Sequence, residues 1–192
     1  MTTVTKQSED KLARARQSAK DTYDAIADMV RRLEAADDDD VYEALAPELA
    51  KTAGYAVKIG RGRTWRWVST KDKSKVSADR YSEESEAWVA CCDDNGLRPD
   101  ADSVREEIQE DPLSVQVRSG WYTPGETPEV CEYEILLGTG GPAVRIVGDL
   151  RQYNEPDRAR LECQDWFTPW TEVFDVDNDV LLTYARCFYF GE

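Results

Sequence analysis

The chain contains no histidine. Without an imidazole there is no Ser–His–Asp triad, no histidine general base and no histidine-ligated zinc, so only carboxylate, thiolate or lysine chemistry would remain to an enzyme. Cysteine is sparse and badly placed for a framework. Cys91, Cys92, Cys131, Cys163 and Cys187 are odd in number and scattered, and the vicinal Cys91–Cys92 pair lacks the spacer of a redox or zinc motif. They read as reduced, mostly buried side chains with no disulfide among them, which points to a reducing cytoplasm. No run approaches the roughly 18 apolar residues of a membrane span. The opening stretch has no apolar region of the kind a secretory signal needs, so none is expected.

Cations are also in short supply: 24 Lys and Arg stand against 39 Asp and Glu, a net charge of -15. Such an excess repels nucleic acid and anionic membranes and favours basic partners. Aromatic residues are not lacking. Six tryptophans and nine tyrosines within a 41% apolar composition argue for a folded chain with a real core. Its length fits one domain, or a compact domain with a helical appendage.

Residues 8–36 read as a long helix, with Leu12, Ala19, Ile26 and Leu33 at seven-residue spacing and Tyr23 and Val30 between them. This imperfect stripe packs on its own domain, with a dimer seam as the alternative. Asp37 to Asp40 end that helix and offer a cap to the next, Val41 to Ala50, where Pro47 should kink or restart it. From Gly54 to Arg80 the composition turns basic and aromatic. Thr64-Trp-Arg-Trp-Val68 alternates like a strand, with Trp65 and Trp67 on one face and Arg66 on the other. Basic residues interleaved with aromatics can bind single-stranded nucleic acid; the competing reading is a hairpin docked on the protein's own acids with its tryptophans in the core. Two short helices follow, Ser82 to Cys92, capped by Ser82 or Ser85, and Asp100 to Glu110.

The last third alternates with period two. Leu113 to Val117, Cys131 to Leu137, Ala143 to Leu150 and Ala159 to Asp165 read as four antiparallel strands. A final helix, Asp179 to Phe190, is capped by Asp177 or Asn178 and is apolar nearly all round, so it should be buried against the sheet.

Several motifs fail their chemical tests. Gly138-Thr-Gly-Gly-Pro142 lacks the Lys-Ser/Thr ending of a phosphate loop and leads into a strand, so it is a hairpin turn. Asp175-Val-Asp-Asn-Asp179 has Val180 and Arg186 where a calcium loop needs glycine and a bidentate acid. Glu162 and Asp165 could be cast as an acid/base pair, but Arg160 shares the face of Glu162 and makes it a surface ion pair. Trp166-Phe-Thr-Pro-Trp170 is either a rim of the core or an exposed anchor.

Leu113-Ser-Val-Gln-Val-Arg-Ser-Gly-Trp-Tyr122, Gly140-Gly-Pro-Ala-Val-Arg-Ile146, Arg158-Ala-Arg-Leu-Glu-Cys-Gln-Asp-Trp166, Thr168-Pro-Trp-Thr-Glu172 and the closing Leu181-Leu-Thr-Tyr-Ala-Arg-Cys-Phe-Tyr-Phe-Gly-Glu192 carry a resemblance. In these motifs the chain resembles an uncharacterised family encoded on proteobacterial phages, plasmids and integrative elements. The long N-terminal helix also looks like the family's start, whereas the basic 54–80 segment departs from it. The resemblance implies only a mobile-element setting, in which small acidic proteins inhibit host defence, as anti-CRISPR and antirestriction proteins do.

The sequence thus predicts an α+β fold with three parts: a helical region 1–53, a basic aromatic hairpin or insert 54–81, and an α+β core domain 82–192 with a four-stranded antiparallel sheet covered by the terminal helix. The expected role is a non-enzymatic acidic inhibitor of a host defence protein in the bacterial cytoplasm, with no catalytic residue, metal or cofactor. Its partner would be a basic protein surface, met by Trp166, Trp170, Glu162, Asp165 and Glu172. The alternative is a nucleic-acid-binding accessory protein using Arg61, Arg63, Trp65, Arg66, Lys71, Lys73 and Lys75, and the third is a carboxylate-based enzyme.

Overall fold

A computed structural model describes residues 2–191, with side chains from residue 9 onward. Glu192, the last residue of the closing motif, lies outside it. In chain order the elements are α1 (Thr2–Asp37), α2 (Asp39–Thr52), β1 (Tyr55–Ile59), β2 (Trp65–Ser69), α3 (Glu84–Asp94), α4 (Ala101–Glu110), β3 (Ser114–Ser119), β4 (Val130–Gly138), β5 (Ala143–Arg151), β6 (Glu155–Pro156), β7 (Arg160–Gln164), β8 (Thr171–Glu172) and α5 (Asn178–Ala185). The fold is α+β, as the patterning predicts. It divides into two compact units, Met1–Val30 with Arg105–Glu192, and Arg31–Val104, so α1 and α4 each contribute to both. This division cuts across the three parts drawn from composition: the basic hairpin shares a unit with α2 and α3.

The first unit is built on a sheet ordered β3-β4-β5-β7-β8, with β6 pairing to β5, and every pairing in it is antiparallel. It has six strands where the sequence predicts four. The extra two, β6 and β8, are two residues long, too short for alternation to register. On one face Tyr133, Ile135, Val144, Ile146, Leu161 and Cys163 are buried. These are alternate residues of β4, β5 and β7, and the register sets Ile135, Ile146 and Leu161 side by side.

The α5 helix lies against β7, with Leu181, Tyr184 and Ala185 fully buried. It begins where Asp177 accepts a hydrogen bond from the Asp179 N–H. It stops at Ala185, sooner than the apolar run suggests, and the chain then turns so that Phe190 sets its ring 4.7 Å from that of Tyr133. The Tyr184 hydroxyl donates to Asp111 at 2.6 Å. Of the α1 stripe, Ala19, Ile26, Val30 and Leu33 are buried and Leu12 and Tyr23 partly so, so these positions pack within the chain rather than lying open as a dimer seam.

In the second unit Ala35, Tyr42, Leu45, Ala46, Ala50, Trp67, Trp88, Cys91 and Cys92 form the core. Asp38 caps α2 by accepting from the Asp40 and Val41 N–H groups, and Pro47 sits inside that helix, which runs on past it. The α3 helix is capped not by a serine but by Glu83 in a capping box, with Glu86 accepting from the Glu83 N–H at 3.2 Å. All five cysteines are free thiols. No described helix is long and apolar enough to cross a membrane.

Candidate functional site

The strongest site signal of the first unit is the turn between β7 and β8. It begins at Asp165, whose side chain is fully buried, while Trp166 and Phe167 beside it are 58% and 97% exposed. A buried carboxylate must be paired and hydrogen-bonded. Arg14 of α1 supplies the charge, donating to Asp165 Oδ2 from Nε at 3.1 Å and from Nη2 at 2.6 Å. The Trp166 N–H donates to Oδ1 at 2.7 Å. The turn is closed by Thr168, whose N–H and hydroxyl both donate to the Asp165 carbonyl at 2.9 Å. Burial pushes the Asp165 carboxyl pKa up, but the Trp166 N–H and the Arg14 guanidinium outweigh it and hold the group below its ordinary value.

The same turn stores backbone strain. Phe167 has φ of 68°, a left-handed conformation that a bulky residue avoids. Strain of this kind persists only where the surroundings over-determine it. Here Lys11 helps: its ammonium donates to the Trp166 carbonyl at 3.5 Å and lies 5.4 Å from the centre of the Phe167 ring. Gly141 is needed beneath the turn, since a Cβ there would come within 2.4 Å of the Trp166 indole. The result is a pair of aromatic side chains held at the surface by a buried, fully partnered anchor.

The predicted partner-facing residues therefore separate. Trp166 is exposed and Trp170 half-buried, its indole under the Arg145 guanidinium at 4.1 Å. Glu162 is largely enclosed and already engaged, by Arg145 at 2.7 Å and by Arg160 at 3.2 Å. Its face of the sheet is the one opposite Leu161 and Cys163, as alternation predicts. Asp165 faces inward, so it cannot itself present a charge to a partner; strand alternation alone does not show that the chain turns there. Glu172 lies across from Glu162 in the β7–β8 ladder and is half-buried. Lys11 has no place in the sequence reading, and Phe167 enters it only within the motif, not as a named contact. Phe167 sat between the two tryptophans as part of the motif, and Lys11 is one cation on a helix with no local signal.

The residues proposed for nucleic acid also separate. Trp67 is buried in the core, its indole N–H donating to Asp94 at 2.9 Å, so it offers no stacking surface. Lys75 donates to the Tyr55 hydroxyl at 2.8 Å and sits over that ring. Trp65 is half-buried, and Arg61, Arg63, Arg66, Lys71 and Lys73 are exposed. Among the described residues no group of His, Cys, Asp and Glu is arranged to hold a metal ion. Compared with protein-family models, curated proteins and solved structures, the chain matches none of them.

Proposed function

We propose that this chain works by binding another protein, as an acidic inhibitor of a host defence protein, without catalysis of its own. The observation that carries the reading is the Trp166–Phe167 turn: two large aromatic side chains kept at the surface, one of them on strained backbone, by a buried carboxylate paired with Arg14. Exposed aromatics on a pre-organised turn lose little freedom on binding, and tryptophan is enriched at binding hot spots. The net charge of -15 suits a basic target such as the nucleic-acid channel of a defence complex. The mobile-element setting comes from the resemblance of the C-terminal motifs alone.

The test is a defence assay. The chain is expressed in bacteria carrying a CRISPR or a restriction system, and phage plating is scored against the same cells without it. Immunity should fall, and Trp166→Ala together with Phe167→Gly should restore it. Each aromatic anchor should be worth on the order of 2 kcal/mol in binding. Phe167→Gly also removes the left-handed strain, so the variant should melt within about 1 kcal/mol of the parent. Immunity untouched across a panel of such systems would overturn the reading.

A further inference from the structure

We propose that the β1–β2 hairpin of the second unit is a binding site for the phosphate backbone of a nucleic acid. The strands pair antiparallel, with Lys58 directly opposite Arg66. Their side chains share a face, and like charges directly opposite one another destabilise a sheet. The chain returns along the other side of β2: the Trp65 N–H donates to the Tyr81 carbonyl at 2.8 Å and the Tyr81 N–H to the Trp65 carbonyl at 2.9 Å. Arg80 and Arg66, each one residue inside that bridged pair, therefore fall on the same side. The Arg80 guanidinium reaches the tip, where a Cβ on Gly60 would lie 2.9 Å from its Nη1.

Lys58, Arg66 and Arg80 thus form a row across three adjacent chain segments, roughly 5 Å apart by strand spacing. Arg61 and Arg63 stand at the turn, closed by the Gly60 N–H donating to the Thr64 carbonyl at 2.7 Å. All five cations are exposed, and none has an ion pair among the described residues. Elsewhere arginines find acids readily: Arg14, Arg98, Arg145, Arg151 and Arg160 are all paired. A row of mutually repelling cations in so acidic a chain is relieved by an anion laid across it.

Phosphate suits the row better than a protein surface. Four of the five cations are arginines, whose planar forks match phosphate oxygens, and the neighbouring acids Asp72 and Asp79 form no ion pair with any of them. A nucleic-acid strand brings evenly repeated charge, whereas protein interfaces take their affinity from apolar anchors at the centre. Trp67 is in the core and Trp65, half-buried, shares its face of β2, opposite Arg66, so the contact made by the row is to the backbone and independent of base sequence. The overall negative charge acts against it only at long range, since the Debye length is about 10 Å at 0.1 M salt.

The experiment is fluorescence anisotropy of labelled single-stranded and duplex oligonucleotides with the full chain over about 50 to 200 mM salt. Binding should weaken linearly in log salt. Arg61→Ser with Arg66→Gln should lower affinity about tenfold and reduce the slope by about 0.7 per lost contact on single strands, or about 0.9 on duplex. Arg63→Gly removes one charge at a residue with φ of 59°, a conformation glycine adopts without strain, so it should lower the slope while the melting temperature stays near the parent's. Trp166→Ala should leave this binding unchanged. The proposal is overturned by the absence of binding at the lowest salt, by variants that bind like the parent, or by poly-glutamate competing as well as an oligonucleotide of equal charge.

Discussion

Asp165 carries its charge with no solvent around it, which makes the Trp166–Phe167 turn sensitive to a single proton. Its folded-state pKa lies below the ordinary carboxylate value, so the pair with Arg14 contributes stability that is fully present above that ordinary range. The contribution is lost as pH falls through the folded pKa. Asp165→Asn should therefore melt below the parent at neutral pH, and the gap should close on acidification, where the parent's carboxyl is also neutral. A gap constant with pH would assign the loss to the shape of the amide instead. The thiols make a second test at this scale. Burial pushes Cys91 up to about 12 and Cys92 up to about 11. Neither should react with iodoacetamide near neutral pH until the protein unfolds, whereas the half-buried Cys131 should label first. Mass mapping of the alkylated sites decides it, and early labelling of Cys91 or Cys92 would contradict the packing described for the second unit.

At the scale of elements, Gly148 of β5 marks a point of close packing in the sheet. A Cβ there would meet the Arg158 carbonyl oxygen at 1.8 Å and the Tyr133 ring at 2.6 Å, and the Tyr133 hydroxyl already donates to that same carbonyl at 2.8 Å. Backbone and ring would both have to move, so Gly148→Ala should cost about 1–3 kcal/mol of stability, read from chemical denaturation. An unchanged midpoint would mean the β5 backbone yields freely. The long strands were legible because their alternation separates Ile135, Ile146 and Leu161 from Glu134, Arg145 and Glu162 on opposite faces. The caps at Asp38 and Asp177 were legible for the same local reason. What was not legible depended on distant partners. Nothing local to Trp67 says that its N–H will find Asp94, and nothing local to Asp165 says that Arg14 will reach it from α1. The candidate site lay in the quoted motif, but which of its aromatics would face water was decided by those partners.

For the whole molecule, charge and aromatic anchoring should govern different rates. Each unit carries 12 basic residues, but the first holds 23 acids and the second 16, so most of the net negative charge lies on the first, which also carries the Trp166–Phe167 turn. Long-range attraction by that acidic unit acts before contact, so it should raise the association rate with a basic target and leave dissociation nearly alone. Contacts made by the aromatics exist only in the complex, so their loss should appear in dissociation. Surface plasmon resonance against the target found by the defence assay separates the two. Raising salt from 0.1 M to 1 M shortens the Debye length from about 10 Å to about 3 Å and should slow association steeply. Trp166→Ala should instead speed dissociation by roughly 30-fold, the equivalent of about 2 kcal/mol, with association little changed. Salt-independent association would remove the electrostatic part of the proposed function while leaving the anchor. A Trp166→Ala complex that dissociates like the parent would remove the anchor while leaving the charge, because the two enter the binding free energy at different stages of the encounter.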